Sequence, residues 1–463
     1  MKKIMLMLSA GILSLNAGNL KDFVENATID GYARGKYIFT EGEDGFGKGY
    51  QLFFRPNITS GEVAGFSFTS GIFFARGSAA PDGNASDDAI GGSRAFKGTS
   101  ALDFFNISNL YMTKKFEDAK TMVRVGAMQI ITPLNNTSGW GDRGIGIMAT
   151  NKSVAGMEFY ASAYDSWATD NIMLQTGAGN GGSSIGNELV ILGAKGNFEA
   201  VGLKDLSATL YYAYGDKLFD MMLFADAGYS LAIGDGKLKF LGQVASTIMN
   251  DNPNFRSGDD AKLKDYFTKG IPALGTGVDY AKTRGLYNLQ VAYEIADYSG
   301  NIGYAGSFGE GYGAMLDGKG AFSVGGQLWN SVVAGGQAGF GWTGTGGIKN
   351  TDIMIAYTTH TYKLNQWKFG LDLVYVGGNN RMPYMSRGSA KIDSADNRGY
   401  AVVGKTGTKE NPLSNRTKDA TMFEVSPQVT YQFTKEFSVN LTYSQLFGDM
   451  KLNRTVVTLL YNF

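Results

Sequence analysis

Apolar and polar residues trade places at every step through long stretches of this chain. That period of two restricts those stretches to β-strands whose two faces meet different surroundings. In 436–444, Phe437, Val439, Leu441 and Tyr443 alternate with Ser438, Asn440, Thr442 and Ser444. In 286–295, Tyr287, Leu289, Val291, Tyr293 and Ile295 stand against Asn288, Gln290, Ala292 and Glu294. In 366–375 the apolar face carries Trp367, Phe369, Leu371, Leu373 and Tyr375, and in 421–433 Phe423, Val425, Val429, Tyr431 and Phe433 oppose Glu424, Ser426, Gln428 and Thr430. The last eleven residues, 453–463, place Thr455, Val457, Leu459, Tyr461 and Phe463 on one face and stop on the phenylalanine. An apolar face meeting lipid, a second face meeting an aqueous lumen, and an aromatic at the boundary together describe a strand of a transmembrane barrel.

The start of the chain agrees with that reading. Met1, Lys2 and Lys3 precede an apolar run over 4–15, followed by Asn16, Ala17 and Gly18. This is the pattern of a secretory signal peptide, too short to span a bilayer as a helix, and it predicts cleavage after Ala17. Residues 1–17 are therefore expected to be a signal peptide and 18–463 one barrel domain, with a short helical turn at 20–25 before the first strand. Beyond the leader no apolar run reaches the roughly 20 residues a membrane helix needs. A membrane location then requires a closed barrel, because open strand edges cannot be hydrogen-bonded in lipid. Mean hydropathy is -0.13, as expected where each lipid-facing residue is diluted by a lumen-facing one. Glycine (65 residues) is spread throughout, proline is scarce (8), and aromatics reach 13%, which suits pleated surfaces and interfacial girdles.

Roughly 18 segments of about 9–14 residues fit this grammar, an even count as in single-chain bacterial barrels. Sixteen is the alternative, because 102–115 and 351–364 have ambiguous facing and the strand near Leu203 needs a longer turn than its neighbours. The connections alternate in parity. Short ones at 60–62, 116–119, 152–154, 234–236, 297–300, 364–366 and 434–436 read as periplasmic turns. Long Gly-, Ser-, Asn- and Asp-rich stretches at 77–100, 169–186, 250–284, 309–349 and 378–418 read as extracellular loops. The expected fold is all-β, an antiparallel transmembrane β-barrel in the bacterial outer membrane.

The stretch 108–170, reading SNLYMTKKFEDAKTMVRVGAMQIITPLNNTSGWGDRGIGI and then VAGMEFYASAYDSW, resembles the major outer-membrane porin of Campylobacter and its relatives. The opening TIDGYARGKYIF and the closing TVVTLLYNF look similar too. The resemblance implies an 18-stranded homotrimeric porin that passes small hydrophilic solutes and ions without catalysis. It also implies lipid as its surround and the barrel-assembly machinery as a partner through the strand ending at Phe463.

A porin acts through the lining of its narrowest point. On the lumen face of the first strand lie Asp30, Arg34 and Lys36, and on the second Arg55; Arg124 is on the fifth, and Arg454 on the closing strand, beside the first in a closed barrel. These form a basic stripe. Lumen-facing acids are Glu158, Asp226, Glu294, Asp372 and Glu424. The loop 132–143, with Trp140, Asp142 and Arg143 among glycines, resembles by position the third loop that forms the eyelet of general porins. The expectation is a transverse field, basic on the arginine wall and acidic opposite, which would orient dipolar solutes and disfavour lipophilic ones. Mutual pairing or simple solvation of these charges is the competing reading.

Other signals are bland. There is no cysteine, hence no disulfide or thiolate metal site, and 42 basic against 42 acidic residues give no electrostatic case for nucleic acid. The single histidine, His360, has no serine motif to match it, so no catalytic residue is assigned. Gly45, Gly47 and Gly49 around Lys48 imitate a phosphate loop in composition only. Acidic clusters at Glu41, Glu43 and Asp44 and at Asp87 and Asp88 read as solvated loop faces, since calcium needs six or more converging oxygens. No cofactor is expected. Three functions compete: a general diffusion porin, a substrate-selective channel with Tyr32 and Tyr160 along a solute path, and a non-conducting surface adhesin, which a lumen without a plug domain disfavours.

Overall fold

Residues 17–42, 45–80, 105–135, 142–168, 188–199, 202–251, 280–329, 339–342, 344–382, 419–449 and 451–463 are described by the computed structural model. A helix, α1 (Ala17–Glu25), leads into strands β1 (Thr28–Gly42), β2 (Gly45–Thr59), β3 (Phe66–Ala80), β4 (Phe105–Phe116), β5 (Thr121–Gln129) and β6 (Arg143–Asn151). These are followed by β7 (Met157–Ala168), β8 (Leu189–Phe198), β9 (Leu203–Gly215), β10 (Phe219–Ile233), β11 (Gly236–Met249) and β12 (Thr283–Ile295). The set ends with β13 (Tyr298–Gly309), β14 (Met354–Leu364), β15 (Trp367–Gly377), β16 (Met422–Gln432), β17 (Phe437–Gly448) and β18 (Leu452–Asn462). Each strand pairs antiparallel with its sequence neighbours in an 18-stranded sheet, and β1 pairs with β18 from Tyr32↔Asn462 to Gly42↔Leu452. Closure leaves no free edge, as a lipid setting demands. Phe463 and Gly31 exchange backbone bonds of 3.1 and 3.0 Å at the seam.

The alternation read from the sequence gives the two faces. Leu289 is 63% and Ile302 66% exposed, whereas Asn288 between the same strands is fully buried. An apolar exterior and a polar interior invert the order of a soluble protein, which a lipid surround explains. Aromatics gather on the outward face at the rim that carries both chain ends. Trp367 stacks against Tyr431 at 4.6 Å, Tyr431 against Phe433 at 4.6 Å, and Phe433 against Phe437 at 5.2 Å, while Phe54 meets Phe463 at 5.9 Å. Among the described residues no helix is long and apolar enough to cross a membrane.

The strand count resolves to 18, and the ambiguous facing of 102–115 has a physical cause. Gly71 pairs with Asn109 but Ile72 with Ile107, so Ser108 is an extra, bulged residue. A bulge shifts every later side chain to the other face, so Ile107 and Leu110 both point outward although three positions separate them. The expected parity of connections needs amendment at the far rim, where β1–β2, β9–β10 and β17–β18 are joined by short links at 43–44, 216–218 and 449–451. Some interior glycines make room for flat tyrosines on the next strand. A Cβ on Gly193 would stand 2.4 Å from the Tyr211 ring, and one on Gly303 2.2 Å from the Tyr357 ring. The helix expected at 20–25 spans Ala17–Glu25, and it docks where the Gly61 amide donates to the Phe23 carbonyl at 2.8 Å. The leader proper, 1–16, lies outside the described residues.

The largest departure concerns 309–349, expected as an extracellular loop. Most of it is folded inside the barrel. Tyr312, Met315, Leu316, Phe322, Leu328, Trp329, Phe340 and Trp342 are buried, and they form one cluster with the lumen faces of Met222, Phe224, Leu286, Ile355, Val374 and Val376. Burial of so many large apolar groups is what draws the segment inward, each full burial contributing about 1.5–3 kcal/mol.

Candidate functional site

The lumen is narrowed by two segments that dock on each other. The first comprises residues 130–135 and 142, where Asn135 is fully buried and its Nδ2 donates to the Ile130 carbonyl and to Asp142 Oδ2, both at 2.6 Å. The Thr132 amide and hydroxyl donate in turn to Asn135 Oδ1 at 2.8 and 2.7 Å. The second comprises the described residues 310–329, 339–342 and 344–353. Leu316 N donates to the Leu134 carbonyl at 2.7 Å and Ala321 N to the Pro133 carbonyl at 2.9 Å, which joins the two loops. The inward position expected for 132–143 therefore holds for its described part; Trp140 lies outside the described residues. What position in the sequence did not reveal is that the loop between β13 and β14 also folds into the lumen.

Wall residues anchor this second loop. Thr247 Oγ1 donates to the Ala314 carbonyl at 2.9 Å, Gln243 Nε2 to the Ala321 carbonyl at 3.0 Å, and Tyr357 Oη to the Ser323 carbonyl at 2.7 Å. Arg284, buried on β12, donates to the carbonyls of Ala281 (2.8 Å), Gly313 (3.3 Å) and Trp342. The fully buried Glu424 carboxylate accepts the amides of Gln327 (2.5 Å), Leu328 (3.0 Å) and Trp329 (2.7 Å), and the Ser426 hydroxyl at 2.5 Å. Asp372 accepts Gly326 N at 3.1 Å and Gln327 Nε2 at 2.8 Å. A carboxylate facing consecutive backbone amides is a strong, charge-assisted capture of a turn.

These anchors correct the expected acidic wall. Asp372 and Glu424 are committed to loop amides instead of facing the channel. Glu158, near the start of β7, is bridged by Lys152 at 3.0 Å and Lys195 at 3.1 Å, and Glu294, at the end of β12, is held by Lys239 at 2.6 Å. Asp142 is buried within its own loop. Asp226 lies in register with Thr209 and Gln243. Arg143 shares the face of Ile145 and Ile147, the outward one, and donates to the Ile107 carbonyl at 3.2 Å, so it does not join the constriction.

The basic residues remain on the lumen side, backed by aromatic rings. The Arg34 guanidinium lies 4.6 Å over Phe53, its register partner across β1–β2, and Arg124 lies 4.9 Å over Tyr111. Tyr111 is also close to Arg55, which is buried and pairs in register with Tyr32. Tyr160 and Tyr164, joined at 3.1 Å through their hydroxyls, lie close to Arg124. Lys36 shares the face of Arg34, and Arg454 donates to Thr40 Oγ1 at 3.1 Å nearer the far rim. Aromatic faces hold the planar guanidinium groups of Arg34 and Arg124 in place.

His360 lies on the outward face of β14, with Nδ1 2.8 Å from Tyr298 Oη and Nε2 3.0 Å from Thr358 Oγ1. Lys48 and its glycines form part of strand β2 and not a loop leading to a helix.

The family model described as Campylobacter major outer membrane protein matches residues 62–270. Over those residues the chain is similar to that family. This outer-membrane porin barrel provides a channel for small solutes. Among solved structures it is similar to Acinetobacter baumannii OccAB1, with 15% identity, a TM-score of 0.62, and coverage of 96% of this chain and 98% of that one. It is also similar to Pseudomonas aeruginosa OccK2 (OpdF), with 10% identity, a TM-score of 0.60 and coverage of 95% and 98%, a protein also solved in complex with glucuronate. A third similar structure is P. aeruginosa OccK8 (OprE), with 14% identity, a TM-score of 0.58 and coverage of 95% and 99%. These likenesses are of fold. No curated protein sequence matches the chain.

Proposed function

We propose that this porin is a passive, size-restricted channel in which solutes slide along the wall of Arg34, Lys36 and Arg124, with the buried Arg55 behind it. The observation that carries the reading is the contrast between two sets of lumen charges. The arginines are fixed by aromatic faces, whereas Glu158, Glu294, Asp372 and Glu424 are engaged by lysines or loop amides. In this reading the field is basic on that wall. It acts on the negative ends of dipolar or anionic solutes and disfavours lipophilic ones, which offer nothing to a hydrated guanidinium. Tyr32 and Tyr160 beside these arginines favour a second reading, a channel with a saturable preference among solutes. A sugar acid such as the glucuronate bound in OccK2 is a suitable probe for it.

The leader 1–17 is removed on export in this reading, three copies assemble, and the strand ending at Phe463 presents the chain to the barrel-assembly machinery. No step calls for a catalytic residue. The test is single-channel recording in planar bilayers under a salt gradient. Stepwise conductance with triplet closure is expected, and the combined Arg34→Gln, Arg55→Gln and Arg124→Gln protein should shift its reversal potential toward cations. An unchanged reversal potential would remove the arginine wall from the account.

A further inference from the structure

Away from the arginines the lumen changes character. On the β12–β17 side, beneath residues 319–327 of the infolded loop, lies a cavity of about 390 Å³. It shares Gln290, Asn301, Thr359 and Thr361 with a second cavity of about 440 Å³, whose floor includes Lys239 and Glu294. Each volume falls in the range of about 300–1,000 Å³ typical of small-molecule sites.

Carboxamides and hydroxyls dominate the first cavity. Gln290, Asn301, Gln428 and Asn440 supply the amides, and Thr359 and Thr361 supply hydroxyls. Several are held in one orientation. Asn301 Nδ2 donates to Thr359 Oγ1 at 2.6 Å, Asn440 Nδ2 to Thr430 Oγ1 at 2.9 Å, and Gln290 Nε2 to Tyr357 Oη at 3.1 Å. With its donor so committed, Asn301 turns a buried carbonyl, Oδ1, that has no hydrogen-bond partner among the described residues. Of the charged groups at the cavity, Lys319 Nζ donates to the Val324 carbonyl at 3.2 Å and Asp372 holds loop amides, while Lys368 lines it from β15.

Amides and hydroxyls each donate and accept, so the solute that matches such a wall is one whose successive atoms do the same. Sugars and polyols have that property. A simple anion is better served by the arginine wall, and an apolar solute would strip these groups of water without replacing it. We propose that this chamber binds an uncharged polyhydroxylated solute, a hexose or hexitol, held by the amides of Gln290, Asn301 and Gln428 and the hydroxyls of Thr359 and Thr361. The inference rests on the channel reading for access to the site, and it names a solute class held at a place separate from the arginines.

The test is equilibrium binding of sorbitol and of glucose to the full purified chain in detergent, followed by saturation-transfer NMR, with glucuronate as competitor. Saturable binding is expected, weakened about tenfold or more by Asn301→Leu and by Gln428→Leu, the loss of one to two hydrogen bonds. Folding of both variants is checked by heat-modifiable electrophoretic migration. Absence of saturable hexitol and hexose binding, or binding unmoved in both folded variants, would overturn the proposal. So would glucuronate binding far more tightly than either neutral solute and equally well in the variants. Because binding is read without current, failure of the channel reading shows separately, as absent conductance of the unaltered protein.

Discussion

Glu424 holds the infolded loop by a contact that single substitutions can dissect. Its carboxylate is fully buried and receives three consecutive amides, Gln327 to Trp329, and the Ser426 hydroxyl, itself 2.7 Å from Ser444 Oγ. A hydrogen bond to a charged group contributes about 1.5–3 kcal/mol, and donors stripped of a buried partner cost about 1–3 kcal/mol each. The three do not sum, because the freed turn moves and meets water, so a net of about 3–5 kcal/mol is expected for Glu424→Ala. That converts to about a 10²- to 10⁴-fold shift toward an undocked turn over 325–329. The barrel itself should survive, since its strands are paired independently of the loop. Glu424→Gln keeps one acceptor oxygen but turns an NH₂ toward amide donors, so about half the effect is expected. Hydrogen exchange of the 326–329 amides gives the local opening directly, and single-channel recording should show larger, noisier open levels. Protection at 326–329 equal to that of the unaltered protein in Glu424→Ala would refute the assignment of Glu424 as the anchor.

Two further outcomes follow from other contacts. The Glu310 carboxylate accepts the Lys282 amide at 2.7 Å and faces Lys349 at 3.5 Å, and these hold its pKa below the ordinary carboxylate value, the amide bond being the larger cause. Its contribution is then complete above the ordinary glutamate range and lost as pH falls through the depressed value, so exchange of the Lys282 amide should accelerate only below that range, and in Glu310→Gln at every pH. Gly303→Val would press on Tyr357, whose hydroxyl holds the Ser323 carbonyl and Asn288 Oδ1 (2.9 Å). A penalty of about 1–3 kcal/mol from overpacking should lower the heat-resistant fraction on electrophoresis, and adding Tyr357→Ala should restore the barrel but leave the 321–325 backbone unprotected.

Period-two segments such as 286–295, 366–375 and 453–463 were readable as strands because lipid and water impose opposite demands on neighbouring side chains. The same logic gave the lumen positions of Arg34, Lys36, Arg55, Arg124 and Arg454. It faltered at 102–115, because the bulge at Ser108 resets parity at a residue with no local signature. One signal for the infolded loop was present. A solvated loop has no reason to carry Tyr312, Phe322, Trp329, Phe340 and Trp342, yet the glycines between them gave the segment the look of a surface loop.

The chain by itself determined its strands, its two faces and its basic stripe, since each follows from alternation, and it required closure because lipid leaves no partner for an open edge. Tertiary structure alone decided which loop enters the lumen and what the acids do there. Docking of the described part of this loop requires apolar faces from β10, β12, β14 and β15 to converge. Asp372 and Glu424 became loop anchors only because that docking brings backbone amides against them. An ionised side chain on a lumen face looks the same in sequence whether water or a buried amide waits opposite it, and only the folded barrel supplies that partner.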